Sequence, residues 1–126
     1  MTSYSKLSYE ELNMVHNRNK LIDLFVGNLS NAILHQILEQ AIHDDALTHR
    51  YHKESATSFA LAKEYRAKIN PLESCLPESD SAYIKQKTLQ KVTSELQLRI
   101  SKGYQHIDLS LIEGFVDQAL RELQIL

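Results

Sequence analysis

A chain of 126 residues with only 3 glycines and 2 prolines has few places at which to turn. Strand-rich folds reverse direction roughly every ten residues and need clusters of Gly, Pro, Asn and Asp to do so. Long helices need far fewer. The sequence therefore points to an all-α fold, a helical bundle of about five amphipathic helices in a single helical domain spanning 1-126. Folding at this length buries roughly two-thirds of the surface that the unfolded chain exposes, so a core can form without metals or disulfides.

Hydrophobic spacing divides the chain. Ser8 and Glu11 have the Ser-x-x-Glu spacing of a capping box, in which each side chain satisfies the other residue's free amide. Leu12, Val15, Ile22, Val26 and Leu29 then recur at helical spacing. Gly27-Asn28 interrupts this stripe, and a kink or short break is expected there within one long N-terminal helix. Ile33, Leu34, Ile37, Leu38, Ala41 and Ile42 form a wide apolar face beyond it.

Asp44-Asp45 separates a further helix, expected from Ala46 to Ile69. Its apolar positions are Leu47, Tyr51, Phe59, Ala62, Tyr65 and Ile69, with Ala56 and Ala60 as small contacts. Asn70-Pro71 stops it, because a residue before proline is pushed out of the α region. After a loop to Ser79, either Ser79 or Asp80 is placed to cap a helix lined by Leu89, Val92, Leu96 and Ile100 and ended by Gly103. Ser110 and Glu113 repeat the capping-box spacing ahead of Ile112, Phe115, Val116, Ala119, Leu120 and Leu123. The apolar Ile125-Leu126 ending implies a docked C-terminus.

Charge and cysteine content narrow the function classes. A formal net charge of −2 gives no global attraction to nucleic acid or to an anionic membrane. Locally, Lys85, Lys87, Lys91, Arg99 and Lys102 face Glu95 alone, but without interleaved aromatic residues they read as a solvated helix face. The single cysteine, Cys75, cannot form an intrachain disulfide and reads as a plain buried or half-exposed thiol. No signal-peptide core opens the chain, and no uninterrupted apolar run approaches the length of a span. A cytoplasmic protein with no membrane partner is the expectation.

Histidine is the one conspicuous chemical feature. His35, Glu39 and His43 lie four apart on one helix face and form a candidate metal set, which would make the chain a metal-binding helical bundle. The apolar positions of that helix imply that this histidine face is the wet one. His49-x-x-His52, with Asp45 and Glu54, is a second cluster, but no Glu-x-x-His occurs and the usual di-iron pattern is excluded. There is no Gly-x-Ser-x-Gly elbow, and too few glycines remain for a phosphate-cradling loop.

The stretch from Arg99 to His106, Arg-Ile-Ser-Lys-Gly-Tyr-Gln-His, running on into Ile107-Asp108-Leu109-Ser110-Leu111-Ile112, resembles the Arg-spacer-His segment of HEPN domains. The resemblance implies a small helical bundle of a family rich in ribonucleases, with Arg99 and His106 as catalytic residues flanking a scissile phosphate. This sequence departs from the pattern at Ile100, where a polar residue usually follows the Arg, and at Lys102, where a His precedes Gly-Tyr.

Taken from the residues themselves, several amphipathic helices without an enclosed polar constellation read as a non-enzymatic protein-protein interaction module, requiring no cofactor. An adaptor, subunit, chaperone or regulator of this kind binds a protein partner through a groove or apolar helix face. Apolar faces in excess of what one monomer covers predict a homodimer. The HEPN-like RNA-binding or ribonuclease domain and the metal-binding bundle are the alternatives, and a nucleic-acid contact along the Lys85 to Lys102 face is the third.

Overall fold

The computed structural model describes residues 9–70 and 74–126, with side chains from residue 17 onward. Among them the chain is all-α: α1 (Tyr9–Ala41), α2 (Asp45–Ile69), α3 (Glu78–Ser101) and α4 (Ile112–Glu122). A 3-10 turn at Leu109–Leu111 leads into α4. There are thus four helices where the sequence suggested about five, because Gly27 does not divide the first one. A glycine within a helix costs roughly 1 kcal/mol relative to alanine. Burial of Phe25, Val26, Leu29 and Ile33 on both sides of it outweighs that cost, since each such side chain contributes about 1.5–3 kcal/mol. Asn28 does not act as a breaker either; its amide donates back to the Leu24 carbonyl at 2.8 Å.

The centre of the bundle is α1, which packs against each of the other three helices. From Phe25 to Leu38 most positions are buried, and one continuous cluster of apolar side chains joins all four helices. This central place explains the composition of α1. Residues Asn17–Ala41 are long and apolar enough on average to meet the length and composition test for a membrane span, although polar residues interrupt every apolar run in them. Most of that segment is buried inside the bundle, as befits a core helix.

The buried stripe of the second helix is narrow and unusually polar: Tyr51, Ser55, Ser58, Ala62, Arg66 and Ile69. The small contacts come from Ser55 and Ser58; Ala56 and Ala60 face solvent, and Leu47 is exposed. On α3 the buried row is Ile84, Thr88, Val92 and Leu96, with Ile100 exposed where the spacing had placed it inward.

The helix ends follow local chemistry. Asp44 caps α2 by accepting from the Leu47 amide at 3.0 Å. Neither Ser79 nor Asp80 caps α3; that helix begins after Pro77 with no side-chain cap. Gly103, at φ 100°, ends α3 with amide bonds from Gly103 to the Ile100 carbonyl (3.0 Å) and from Tyr104 to the Arg99 carbonyl (3.1 Å). This is the paired-bond ending that a left-handed residue permits. Gln124, at φ 58°, ends α4 in the same way. Ser110 does not cap α4, which follows Leu111 with no side-chain cap; Asp108 caps the preceding 3-10 turn, its carboxylate accepting from the Ser110 amide at 3.0 Å and hydroxyl at 2.6 Å. Those two bonds also hold the Asp108 carboxyl below its usual range. The Ser8–Glu11 box lies outside the described side chains. Near the C-terminus Ile125 is buried, while Leu126 is exposed.

Candidate functional site

The histidine face of α1 is not wet, because α2 lies against it. His35 is buried, its Nδ1 2.7 Å from the Asn31 carbonyl and its Nε2 2.8 Å from the Glu54 carboxylate. Glu39 reaches instead to His52 Nδ1 on α2, at 3.2 Å. His43, beyond the end of α1, is exposed and stands edge-on to His106, with ring centroids 5.8 Å apart. His35, Glu39 and His43 therefore turn to three different neighbours. Among the described residues no three His, Cys, Asp or Glu side chains gather as a metal set. The second cluster also separates: His52 pairs with Glu39, whereas His49 and Asp45 face solvent.

Arg99 and His106 both lie where α3 ends. Arg99 Nη1 donates to Glu95 at 3.0 Å one turn earlier on its own helix. His106 adopts φ 66° in the following loop, a left-handed conformation uncommon outside glycine. Between them lies a tyrosine pair that carries no sequence signature. Tyr51 of α2 is buried beside the Tyr104 phenol, and its ring sits 5.5 Å from that of His35. Burial, then the Tyr104 phenol, raises the Tyr51 pKa above the ordinary tyrosine value, while the Arg99 charge opposes the shift. Tyr51, Tyr104, His43 and His106 line a depression of about 540 Å³ at this end of the bundle.

A buried arginine also escaped the sequence reading. Arg66, fully buried on α2, donates through Nε to the Leu123 carbonyl at 2.9 Å and through Nη2 to the Gln124 carbonyl at 3.2 Å. Its Nη1 donates to the Asn70 carbonyl at 3.2 Å and also to the Asn70 side chain. Burial lowers its pKa, and the bonds to carbonyls at the end of α4 compensate the charge. Its role is to tie the end of α2 to the C-terminal residues. Cys75, exposed nearby, carries no disulfide.

A groove of about 530 Å³ lies between α1 and α3. One wall is Gly27, Ser30, Asn31 and Leu34; the other includes Lys87, Lys91, Glu95 and Arg99, recurring every fourth residue of α3. A Cβ added at Gly27 would meet nothing within 4 Å, so no packing demand inside the chain calls for glycine there. Ser30, one turn on, is only 6% exposed, and its hydroxyl has no hydrogen-bond partner among the described residues. Native structures satisfy nearly all buried polar groups, and this hydroxyl, closed off from solvent behind the groove wall, is an exception. The sequence hint was Gly27 itself, read as a kink. No protein-family model matches this chain, and comparison with curated proteins and with solved structures likewise returns no match.

Proposed function

We propose that this protein is a protein-interaction module that docks a helical segment of another protein into the α1–α3 groove. The observation that carries this reading is Gly27 in the groove wall: the missing side chain leaves open space there that nothing else in the described residues fills. A groove between two helices is a common seat for a third, and small residues in its wall let another backbone approach. A cytoplasmic setting is part of the proposal.

Photo-crosslinking residues placed at Gln90 and Ser94, on the groove rim, test it against the same residues at Lys63 and Ala67 on the outer face of α2. The expected outcome is a discrete crosslinked protein from the groove positions only, lost when Gly27→Phe fills the groove. Equal crosslinking from both faces, or crosslinks indifferent to Gly27→Phe, overturns it. A second copy of the chain is the competing occupant, and sedimentation of the purified protein separates the two cases.

One observation favours the HEPN-like alternative as a second reading: Arg99 and His106 flank the same tight turn, and His106 is held in a left-handed conformation. Cleavage of single-stranded RNA that is abolished by both Arg99→Ala and His106→Ala would support it, and no cleavage by the intact chain counts against it.

A further inference from the structure

The α3 wall of the groove is not electrostatically uniform. Lys87, Lys91, Glu95 and Arg99 span about 18 Å at helical rise, a little over three turns. Arg99 is engaged by Glu95 at 3.0 Å, and Lys85, further along α3, is engaged by Asp117 at 3.1 Å. Lys87 and Lys91 have no carboxylate partner among the described residues; Lys87 Nζ rests 6.0 Å from the Tyr83 ring centroid. The facing wall on α1 adds no charge, so the groove is positive in a chain whose net charge is −2.

Building on the docking reading above, we propose that the partner segment is an acidic amphipathic helix of three to four turns. Its small or apolar face lies over Gly27 and Ser30, and its flank sets two carboxylates one turn apart against Lys87 and Lys91. Carboxylates at i and i+4 of a helix repeat about every 6 Å, the spacing of the two lysines along α3. The length of the wall matches the proposed segment. A nucleic-acid strand fits less well: the Glu95 carboxylate stands in the wall where a phosphate backbone would run, and no aromatic ring lines the groove for base stacking.

The test uses the full chain and three synthetic helical peptides of about 18 residues. They share a Leu/Ala face and carry Glu, Gln or Lys at the two flank positions. Amide shifts of the ¹⁵N-labelled protein report the site of binding. The Glu peptide is expected to shift the amides of 27–34 and 87–99 and to bind about fivefold tighter than the Gln peptide. That margin should shrink as salt rises from about 50 to about 200 mM. The double variant Lys87→Glu, Lys91→Glu should invert the order in favour of the Lys peptide. Equal binding of the Glu and Gln peptides in the groove overturns the charge assignment and leaves the docking reading standing. Shifts confined to other faces, or none with any peptide, overturn both. Displacement of the Glu peptide from the groove by a short single-stranded RNA overturns the acidic partner in favour of nucleic acid.

Discussion

The two flanks of α1 are closed in opposite ways. Against α2, polar groups meet partners: Ser55 donates to the Ala32 carbonyl at 2.9 Å, Asn31 to the Ser58 hydroxyl at 2.6 Å, and His35 contacts Glu54 at 2.8 Å. Against α3, the buried hydroxyls of Ser30 and Thr88 have none among the described residues, and a groove remains open on the Ser30 side. The α3 row is mostly apolar, with Ile84, Val92 and Leu96 around Thr88, whereas the α2 row carries Ser55 and Ser58. Satisfaction differs as well. A matched polar interface holds two helices at close range, whereas an unmatched one leaves its buried polar groups uncompensated.

Breaking polar matching should cost most at Arg66, which ties α2 to the C-terminal residues, and less on the α1–α2 flank itself. Arg66→Ala removes a fully buried guanidinium and leaves the carbonyls of Leu123, Gln124 and Asn70 without it. A loss of about 3–5 kcal/mol in urea unfolding is expected. Retention of stability within about 1 kcal/mol of the parent would show that polar matching does not hold this side of the bundle. Ser55→Val is a smaller version of the same experiment. It deletes the bond to Ala32 in a tight interface and should cost about 1–2 kcal/mol.

Much of this architecture was legible in the sequence, because hydrophobic periodicity reports which helices exist. The stripe of Ile112, Val116, Ala119, Leu120 and Leu123 and the stop at Gly103 stand where their spacing placed them. What periodicity does not report is which neighbour covers a polar face. His35 looked wet because apolar residues occupy the other side of α1, and only the packing of α2 turns that face inward. The same limit hid Arg66, whose partners are main-chain carbonyls up to 58 residues away and carry no side-chain signature. Gly27 was visible, but the break that local propensity allows does not occur, because tertiary burial of its neighbours keeps the helix whole. Ser110 does not cap α4 because it sits inside a 3-10 turn that Asp108 caps, where its hydroxyl donates to the Asp108 carboxylate, and spacing does not reveal that turn.

The unmatched flank should respond with the opposite sign. Thr88 is fully buried with its hydroxyl unpartnered, so Thr88→Val replaces a desolvated polar group with a methyl of similar shape. The expected result is a neutral change or a gain of up to about 1 kcal/mol, measured by the same unfolding series as Ser55→Val. A clear loss would mean that the hydroxyl is satisfied in solution, and the contrast between the flanks would collapse.

Gly27→Ala gives the smallest change and the sharpest version of the contrast. Glycine inside a helix is less stable than alanine by roughly 0.5–1 kcal/mol, mostly through the entropy of the unfolded chain. The new methyl would meet nothing within 4 Å, so no clash offsets the gain. The variant should therefore melt a few degrees higher than the parent. The same methyl projects into the groove where a docked helix would approach the backbone, so peptide binding and groove crosslinks should weaken as stability rises. Opposite movement of the two readouts places the cost of Gly27 on the side of binding. A gain in stability with docking unchanged would instead remove Gly27 from the interface and leave Ser30, Lys87 and Lys91 to define it.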